Sequence, residues 1–241
     1  MLQLYIGNKN YSSWSMRPWV LMTDAAIPFT EVKVRFDAFT PGSTFKRTMG
    51  ALVPTGKVPA LVIDDGVDDG VAGSSGPQVV WDTLAIAETL AERHPDRQLW
   101  PADAARRALA RSLCAEMHSG FGALRNACPM NIEARLPEIG ARVLAEQPAV
   151  QADLARIVAM WTGCLERFGG PWLFGERFGI ADAYYAPVAS RLRSYALPVP
   201  APVADYIEHI HQRPSVAAWV ADALAEHDFL DFEEPYRTSR G

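Results

Sequence analysis

Residues 2–6 alternate apolar Leu2, Leu4 and Ile6 with Gln3 and Tyr5, the period-two pattern of a strand with a buried face. A polar stretch, residues 7–10, interrupts it. Ser12, Ser13 and Ser15 then supply capping hydroxyls ahead of Trp19, Val20, Leu21 and Met22, which predicts a helix with Pro18 in its first turn. Alternation returns over residues 29–34, so the chain opens as β-α-β and passes into a loop around Pro41 and Gly42. Short apolar runs at 60–63 and 79–81 predict two further strands, an extended hairpin across a long exposed loop, residues 64–77, rich in Gly, Asp and Ser. Leu84, Ile86, Ala87, Leu90 and Ala91 recur at helical spacing, and Pro95 with Pro101 marks a linker. Beyond it Ala, Arg, Leu and Glu dominate without strand alternation, and helices are predicted at 104–125, 149–168, 180–195, 204–212 and 216–226. The chain divides into an α/β unit, residues 1–95, and an all-helical unit, residues 102–241.

Composition narrows the function. The chain has 241 residues, 49% hydrophobic and 21% charged, which is globular and long enough for one large domain or two small ones. Its net charge of −5 lacks the basic excess of a nucleic-acid binder. No apolar run approaches the ~18 residues of a membrane span, and residues 1–7 carry no signal-peptide pattern. Cys114, Cys128 and Cys164 are too far apart for a CxxC pair, and His94, His118, His209, His211 and His227 form no metal-ligand pattern. A reduced, cytoplasmic protein without a metal, acting on small molecules or protein and not on nucleic acid or membrane, is the expectation.

Gly56, Lys57, Val58 and Pro59 open the third strand. Proline cannot donate to a ladder and belongs at a strand's first residue; a cis Val58–Pro59 bond would also turn the Val58 backbone outward to pair with an extended peptide, whereas a trans bond would only start the strand. Farther on, Val80, Trp81, Asp82, Thr83, Leu84, Ala85 and Ile86 carry the chain from strand to helix. Asp82 and Thr83 stand where free amides and the helix dipole attract an anion, or where they merely cap the helix. Phe178, Gly179, Ile180, Ala181, Asp182 and Ala183 read as the capped start of a buried helix.

On these motifs the sequence resembles the glutathione transferase family over nearly its whole length. The resemblance implies a thioredoxin-like N-terminal domain, an all-α C-terminal domain and a homodimer. It also implies glutathione as co-substrate, held by Val58, by Thr83 on the γ-glutamyl carboxylate and by Asp82 on the ammonium group. Gly179 departs from the Ser or Thr the family prefers at that cap. Lys57 either reaches the glycyl carboxylate or is a solvated loop lysine.

No cysteine precedes Cys114, so disulfide exchange through a protein thiolate at the first helix is disfavoured, and a hydroxyl is left to stabilise the glutathione thiolate. Ser12, Ser13, Ser15 and Arg17 are similar to the Ser-Ser-x-Ser-x-Arg of the zeta class, with Trp14 in place of that class's Cys. This resemblance places the activating hydroxyl on Ser12, with Tyr11, Ser13 and Ser15 as competitors. The function expected is addition of the thiolate to a small electrophile. The alternatives are a glutathione-dependent cis-trans isomerase of the maleylacetoacetate type and a non-catalytic interaction module of the same fold. His118, Phe121 and Arg125 form a stripe that lines a cleft or is plain interface. Asn131 and Arg135 are candidate contacts for an acidic second substrate, and Phe229, Phe232 and Tyr236 either fold over the electrophile pocket or cap the helical unit.

Overall fold

The computed structural model describes residues 1–64 and 76–240. Four strands, β1 (Leu2–Ile6), β2 (Thr30–Lys33), β3 (Ala60–Ile63) and β4 (Gln78–Val80), form one sheet in the order β2-β1-β3-β4. β1 is parallel to β2 and antiparallel to β3, which is antiparallel to β4. Every residue of β3 is buried, as a central strand requires, whereas edge strand β2 exposes Thr30, Glu31 and Lys33. The Val58–Pro59 bond leading into β3 is cis. Most of the loop expected between β3 and β4 lies outside the described residues.

Helices α1 (Ser13–Asp24), α2 (Thr44–Leu52) and α3 (Thr83–Arg93) complete a thioredoxin-like arrangement. α1 begins six residues before the apolar cluster at Trp19, so Pro18 is its sixth residue and not part of its first turn. α2 replaces what the sequence reads as loop. Its apolar face is only Phe45 and Met49, one helical turn apart, too sparse for a periodicity argument. Local caps hold it: Ser43 Oγ accepts from Lys46 N at 3.1 Å, and the Asp37 carboxylate accepts from Thr44 N at 2.8 Å and Phe45 N at 3.0 Å. Those amides hold the Asp37 carboxyl down at about 2. Phe45 and Met49 join Tyr11, Phe36, Val53, Ala60 and Leu230 in a small core apart from the main one.

The remainder is helical: α4 (Ala104–Ser119), α5 (Gly122–Ala127), α6 (Pro137–Glu146), α7 (Pro148–Phe168), α8 (Ile180–Ser194), α9 (Ala201–Gln212) and α10 (Pro214–Ala225). The single helix expected over 104–125 is two, because the chain breaks at Gly120 and Phe121, the latter at φ 54°. A Cβ on Gly120 would lie 2.7 Å from the Glu116 carbonyl oxygen, so glycine is required there. α6 buries only Gly140 and Val143, too few for apolar spacing to mark a helix there.

α8 is the central post, buried at every position except Arg193 and packed on α1, α4 and α9. Asp182 starts it, accepting from Gly179 N, Leu173 N and Tyr206 Oη, each at 3.0 Å. Gly179 stands where a Cβ would come within 3.0 Å of the Leu99 carbonyl oxygen, which accounts for the departure from Ser or Thr. Because α1 lies on α8, the start of α1 is fixed by both halves of the chain.

Candidate functional site

The loop between β1 and α1 is polar in sequence yet buried: Asn8, Lys9 and Asn10 are 0%, 4% and 2% exposed. Buried polar groups need partners, and the end of the chain supplies many of them. Asn8 Nδ2 donates to Asp228 at 2.6 Å, Lys9 N to Glu226 at 2.8 Å, and Trp219 Nε1 to the Lys9 carbonyl at 3.1 Å. Lys9 Nζ pairs with Glu31 at 2.8 Å and Asp222 at 2.5 Å and lies 4.3 Å from the Trp19 ring centre. This scaffold delivers the hydroxyl cluster.

Within it the four candidate hydroxyls differ. Ser15 is fully buried and its Oγ accepts from Gly7 N at 3.1 Å, tying β1 to α1. Ser12 Oγ donates to Ser15 Oγ at 2.7 Å and makes no capping bond to α1. Ser13 Oγ accepts from Arg191 Nη2 at 3.1 Å. Tyr11 Oη donates to Glu234 Oε1 at 2.7 Å and accepts from Leu230 N at 3.3 Å. Burial and the Glu234 carboxylate push the Tyr11 phenol up to about 12.

A cavity of about 450 Å³ opens between the two halves of the chain. Tyr11, Ser12, Ser13 and Trp14 line it from the start of α1, Lys57 and Val58 from the approach to β3, and Arg125, Met130 and Arg191 from the helical half. Ser15 is not part of the lining. The aromatic Phe36, Phe39 and Phe45 form an apolar wall. A larger cleft of about 600 Å³ lies along residues 98–106 and 168–182, but its Asp182 is already engaged in starting α8. The hydroxyls and the smaller cavity define the candidate site.

Its electrostatics are cationic. Arg17 donates to the carbonyls of Tyr184 and Ser13 at 2.9 and 3.0 Å, and its guanidinium carbon is 4.0 Å from the Trp14 ring centre. Arg125 approaches the same ring at 5.0 Å. Arg191 donates to the carbonyls of Cys128 and Pro187 and to Ser13. Among the described residues none of the three forms an ion pair. Burial lowers Arg17 to about 10; burial together with repulsion from Arg17 and Arg125 lowers Arg191 to about 9. Both remain cations at neutral pH, so the cavity favours an anion.

Asp82 and Thr83, at the start of α3, are outside this lining but joined to it. Asp82 lies 3.1 Å from His118 Nε2, and the His118 ring meets Trp14 edge-on at 5.3 Å. Thr83 Oγ1 and His118 Nδ1 are 2.8 and 2.9 Å from Tyr184 Oη. Lys57 is exposed at the cavity rim, and beside it Lys46 Nζ donates to the Gly56 carbonyl at 2.9 Å. Of the stripe His118, Phe121 and Arg125, only Arg125 reaches the cavity. Asn131 is buried between Asn10 and Glu234, and Arg135 is turned to the carbonyls of Ile132 and Ala134. Neither lines the cavity. The cysteines do not either, and burial raises all three thiols, Cys128 and Cys164 to about 11.

Residues 226–240 form a strap along the cavity. Phe232 packs edge-on against Phe39 at 5.3 Å, Tyr236 Oη donates to the Ala127 carbonyl at 2.7 Å, and Phe229 lies 5.5 Å from the Arg237 guanidinium. Glu234 anchors it, accepting from Tyr11, Asn131 and Arg237. Glu233, next to this anchor, lines the cavity. Burial and then the neighbouring Glu234 charge raise its carboxyl to about 7. An acid raised on folding contributes its full stability below the unfolded value of 4.5 and loses it as pH rises through about 7. Glu233→Gln should therefore unfold at the wild-type temperature near pH 4 and at a higher temperature near pH 8; identical melting curves at both would discount its burial.

A thioredoxin-like sheet whose first helix meets an all-helical half, with an anion-receptive cleft between them, defines the glutathione transferase fold. Known proteins place the chain more closely: residues 11–93 match the glutathione S-transferase N-terminal domain and residues 131–222 the C-terminal domain. The chain belongs to the glutathione S-transferase family. It is 30% identical over 181 residues to glutathione S-transferase GstA of Escherichia coli O157:H7, covering 73% of this chain and 76% of that one. It is also 31% identical over 139 residues to maleylacetoacetate isomerase of Pseudomonas aeruginosa, a match spanning 57% of each protein. A crystal structure of a glutathione transferase homologue from Burkholderia with bound glutathione superposes with a TM-score of 0.64 at 25% identity, covering 94% of this chain and 99% of that one.

Proposed function

We propose that this protein is a glutathione-dependent enzyme in which Ser12 stabilises the glutathione thiolate for addition to a small electrophile. The observation that carries the reading is the Ser12 hydroxyl at the start of α1, lining a cavity bordered by arginines that have no ion-pair partner among the described residues. A thiolate there meets a hydroxyl donor and a positive potential, both of which lower a thiol pKa from its ordinary value of about 8.5. Tyr11 is committed to Glu234, Ser13 to Arg191 and Ser15 to Gly7, whereas Ser12 needs only to turn its proton from Ser15 toward sulfur. That rotation gives up one neutral hydrogen bond, about 1 kcal/mol net, for a stronger charge-assisted one.

In this reading the Val58 backbone, Lys57, Asp82 and Thr83 hold glutathione. With its hydroxyl engaged by Tyr184, Thr83 meets the γ-glutamyl carboxylate through its helix-terminal amide as well. Lys46 and Lys57 suit the glycyl carboxylate, and the phenylalanine wall suits an apolar portion of the electrophile. A cytoplasmic homodimer is part of the same proposal, and sedimentation of the purified protein tests its assembly.

The test is a calorimetric titration of glutathione into the purified protein, with thiolate absorbance read on the same sample at neutral pH. Saturable binding with thiolate formation is expected. Binding without thiolate would remove Ser12 activation, and no binding would favour an interaction module. The Ser-Ser-x-Ser-x-Arg run and the similarity to maleylacetoacetate isomerase favour a second reading, in which the thiolate adds to a double bond, the bond rotates and the thiolate leaves. Net cis-to-trans conversion of a maleyl compound, with glutathione unconsumed, would select it.

A further inference from the structure

The site as described holds a thiolate but assigns no group to receive the proton that the thiol must lose. We propose that Glu233 is that group: its carboxylate takes the sulfhydryl proton of bound glutathione. This rests on the reading of the cavity as a glutathione site. Titratable side chains facing the cavity are Tyr11, Lys46, Lys57, Arg125, Arg191 and Glu233, and among these described residues Glu233 alone is a carboxyl. Tyr11 is held protonated, and the two arginines are permanent donors at neutral pH. Lys46 is tied to the Gly56 carbonyl.

The strap sets up the division of labour between adjacent acids. Glu234 is 6% exposed and is bound by Tyr11, Asn131 and Arg237, so its charge is consumed in anchoring the chain. Glu233 N donates to the Leu230 carbonyl at 2.8 Å, but its carboxyl makes no hydrogen bond or ion pair among the described residues. Packing of Phe232 on Phe39 and of Tyr236 on Ala127, one on each side of the pair, holds this segment at the cavity. A fixed carboxyl with no internal partner, bordering the same space as Ser12 and Val58, has the freedom a proton acceptor requires. Its raised pKa, about 7, lies between an ordinary carboxyl and a thiol, where an acceptor works near neutral pH.

The step balances without another reactant. The S–H bond breaks and an O–H bond forms on Glu233; sulfur keeps the electron pair, and one negative charge moves from oxygen to sulfur. Net charge in the cavity is unchanged, so the cationic surroundings need not accommodate an added anion. When the thiolate adds to an electrophilic double bond, the proton on Glu233 is returned to the carbanion that forms; when it displaces chloride from an aromatic ring, the C–S bond forms as chloride leaves and the proton on Glu233 passes to solvent.

The experiment compares wild type with Glu233→Gln and Glu233→Asp, using glutathione and 1-chloro-2,4-dinitrobenzene as the electrophile. Glutathione binding, thiolate absorbance against pH and the pH profile of kcat are read for each protein. For Glu233→Gln, binding is expected within about threefold of wild type, since the amide keeps the shape of the side chain. kcat at pH 7 should fall about tenfold and recover as pH rises, while the bound thiol titrates no higher than in wild type, because the amide removes a neighbouring negative charge. Glu233→Asp should restore part of that loss. A kcat profile coincident with wild type would overturn the proposal. So would a loss of affinity with an unchanged kcat, which would make Glu233 a partner of the glutathione ammonium. Absence of glutathione binding or thiolate in wild type itself would instead fail the underlying reading, before any variant is compared.

Discussion

Ser12→Ala is expected to lower turnover of glutathione with an electrophile at least tenfold, with the fold intact. Removing a donor aimed at a developing anion costs about 10²–10³ in rate where that donor acts alone. Here the arginine field and the start of α1 act on the same sulfur, so the effect falls toward the lower end. Alanine also removes the proton given to Ser15, but Ser15 keeps Gly7 N as its donor, so the tie between β1 and α1 survives. The loss should therefore appear in kcat and in a raised thiol pKa, with little change in glutathione affinity. Ser13→Ala and Tyr11→Phe are the comparisons: each removes a hydroxyl already committed elsewhere, and neither should match Ser12→Ala. Turnover equal to wild type in Ser12→Ala would sink the assignment.

The sequence carried the frame of this site well because its signals are local. Leu2, Leu4 and Ile6 show period two, Val58 and Pro59 flank a strand start, and Asp82 and Thr83 stand at a strand-to-helix turn. α2 escaped because it rests on caps from Asp37 and Ser43 and on two buried side chains, not on a periodic face. The break at Gly120 escaped because a helix-compatible composition runs through it, and only the closeness of the Glu116 carbonyl makes glycine necessary. The polar run Asn8, Lys9 and Asn10 reads as a solvated loop, yet its partners Glu226, Asp228 and Asn131 lie more than a hundred residues away. Nothing local announces such a pairing. The same distance hides the strap: Phe229, Phe232 and Tyr236 stand out in the sequence as aromatics, whereas nothing local marks the acids Glu233 and Glu234. Arg191 was likewise silent, a mid-helix arginine whose importance follows from α8 lying against α1.

That long-range pairing makes the strap the most consequential place for a single change outside the hydroxyl cluster. Glu234→Ala should destabilise the protein by about 3 kcal/mol at pH 7, the low end for breaking a buried ion pair. It leaves Tyr11 Oη and the Asn131 amide short of a partner in a buried setting, while Arg237 retains Glu133 at 3.1 Å. Burial alone would raise the Glu234 carboxyl, but hydrogen bonds from Arg237, Tyr11 and Asn131 outweigh it and hold the group below its ordinary 4.5. Stability from an acid lowered on folding is present above its unfolded pKa and disappears as pH falls through the folded value. The difference in unfolding free energy between wild type and Glu234→Ala should therefore be greatest above about pH 5 and shrink in stronger acid. Function should follow the strap: with its anchor gone, Glu233 loses its fixed place at the cavity and Phe232 its packing on Phe39, so selectivity among electrophiles changes more than glutathione affinity. Denaturant unfolding at several pH values and kcat/KM for two electrophiles of different size measure both effects. Wild-type stability at pH 7 would show that Glu234 is not the anchor, and unchanged selectivity in a destabilised variant would show that the strap braces the fold without shaping the electrophile pocket.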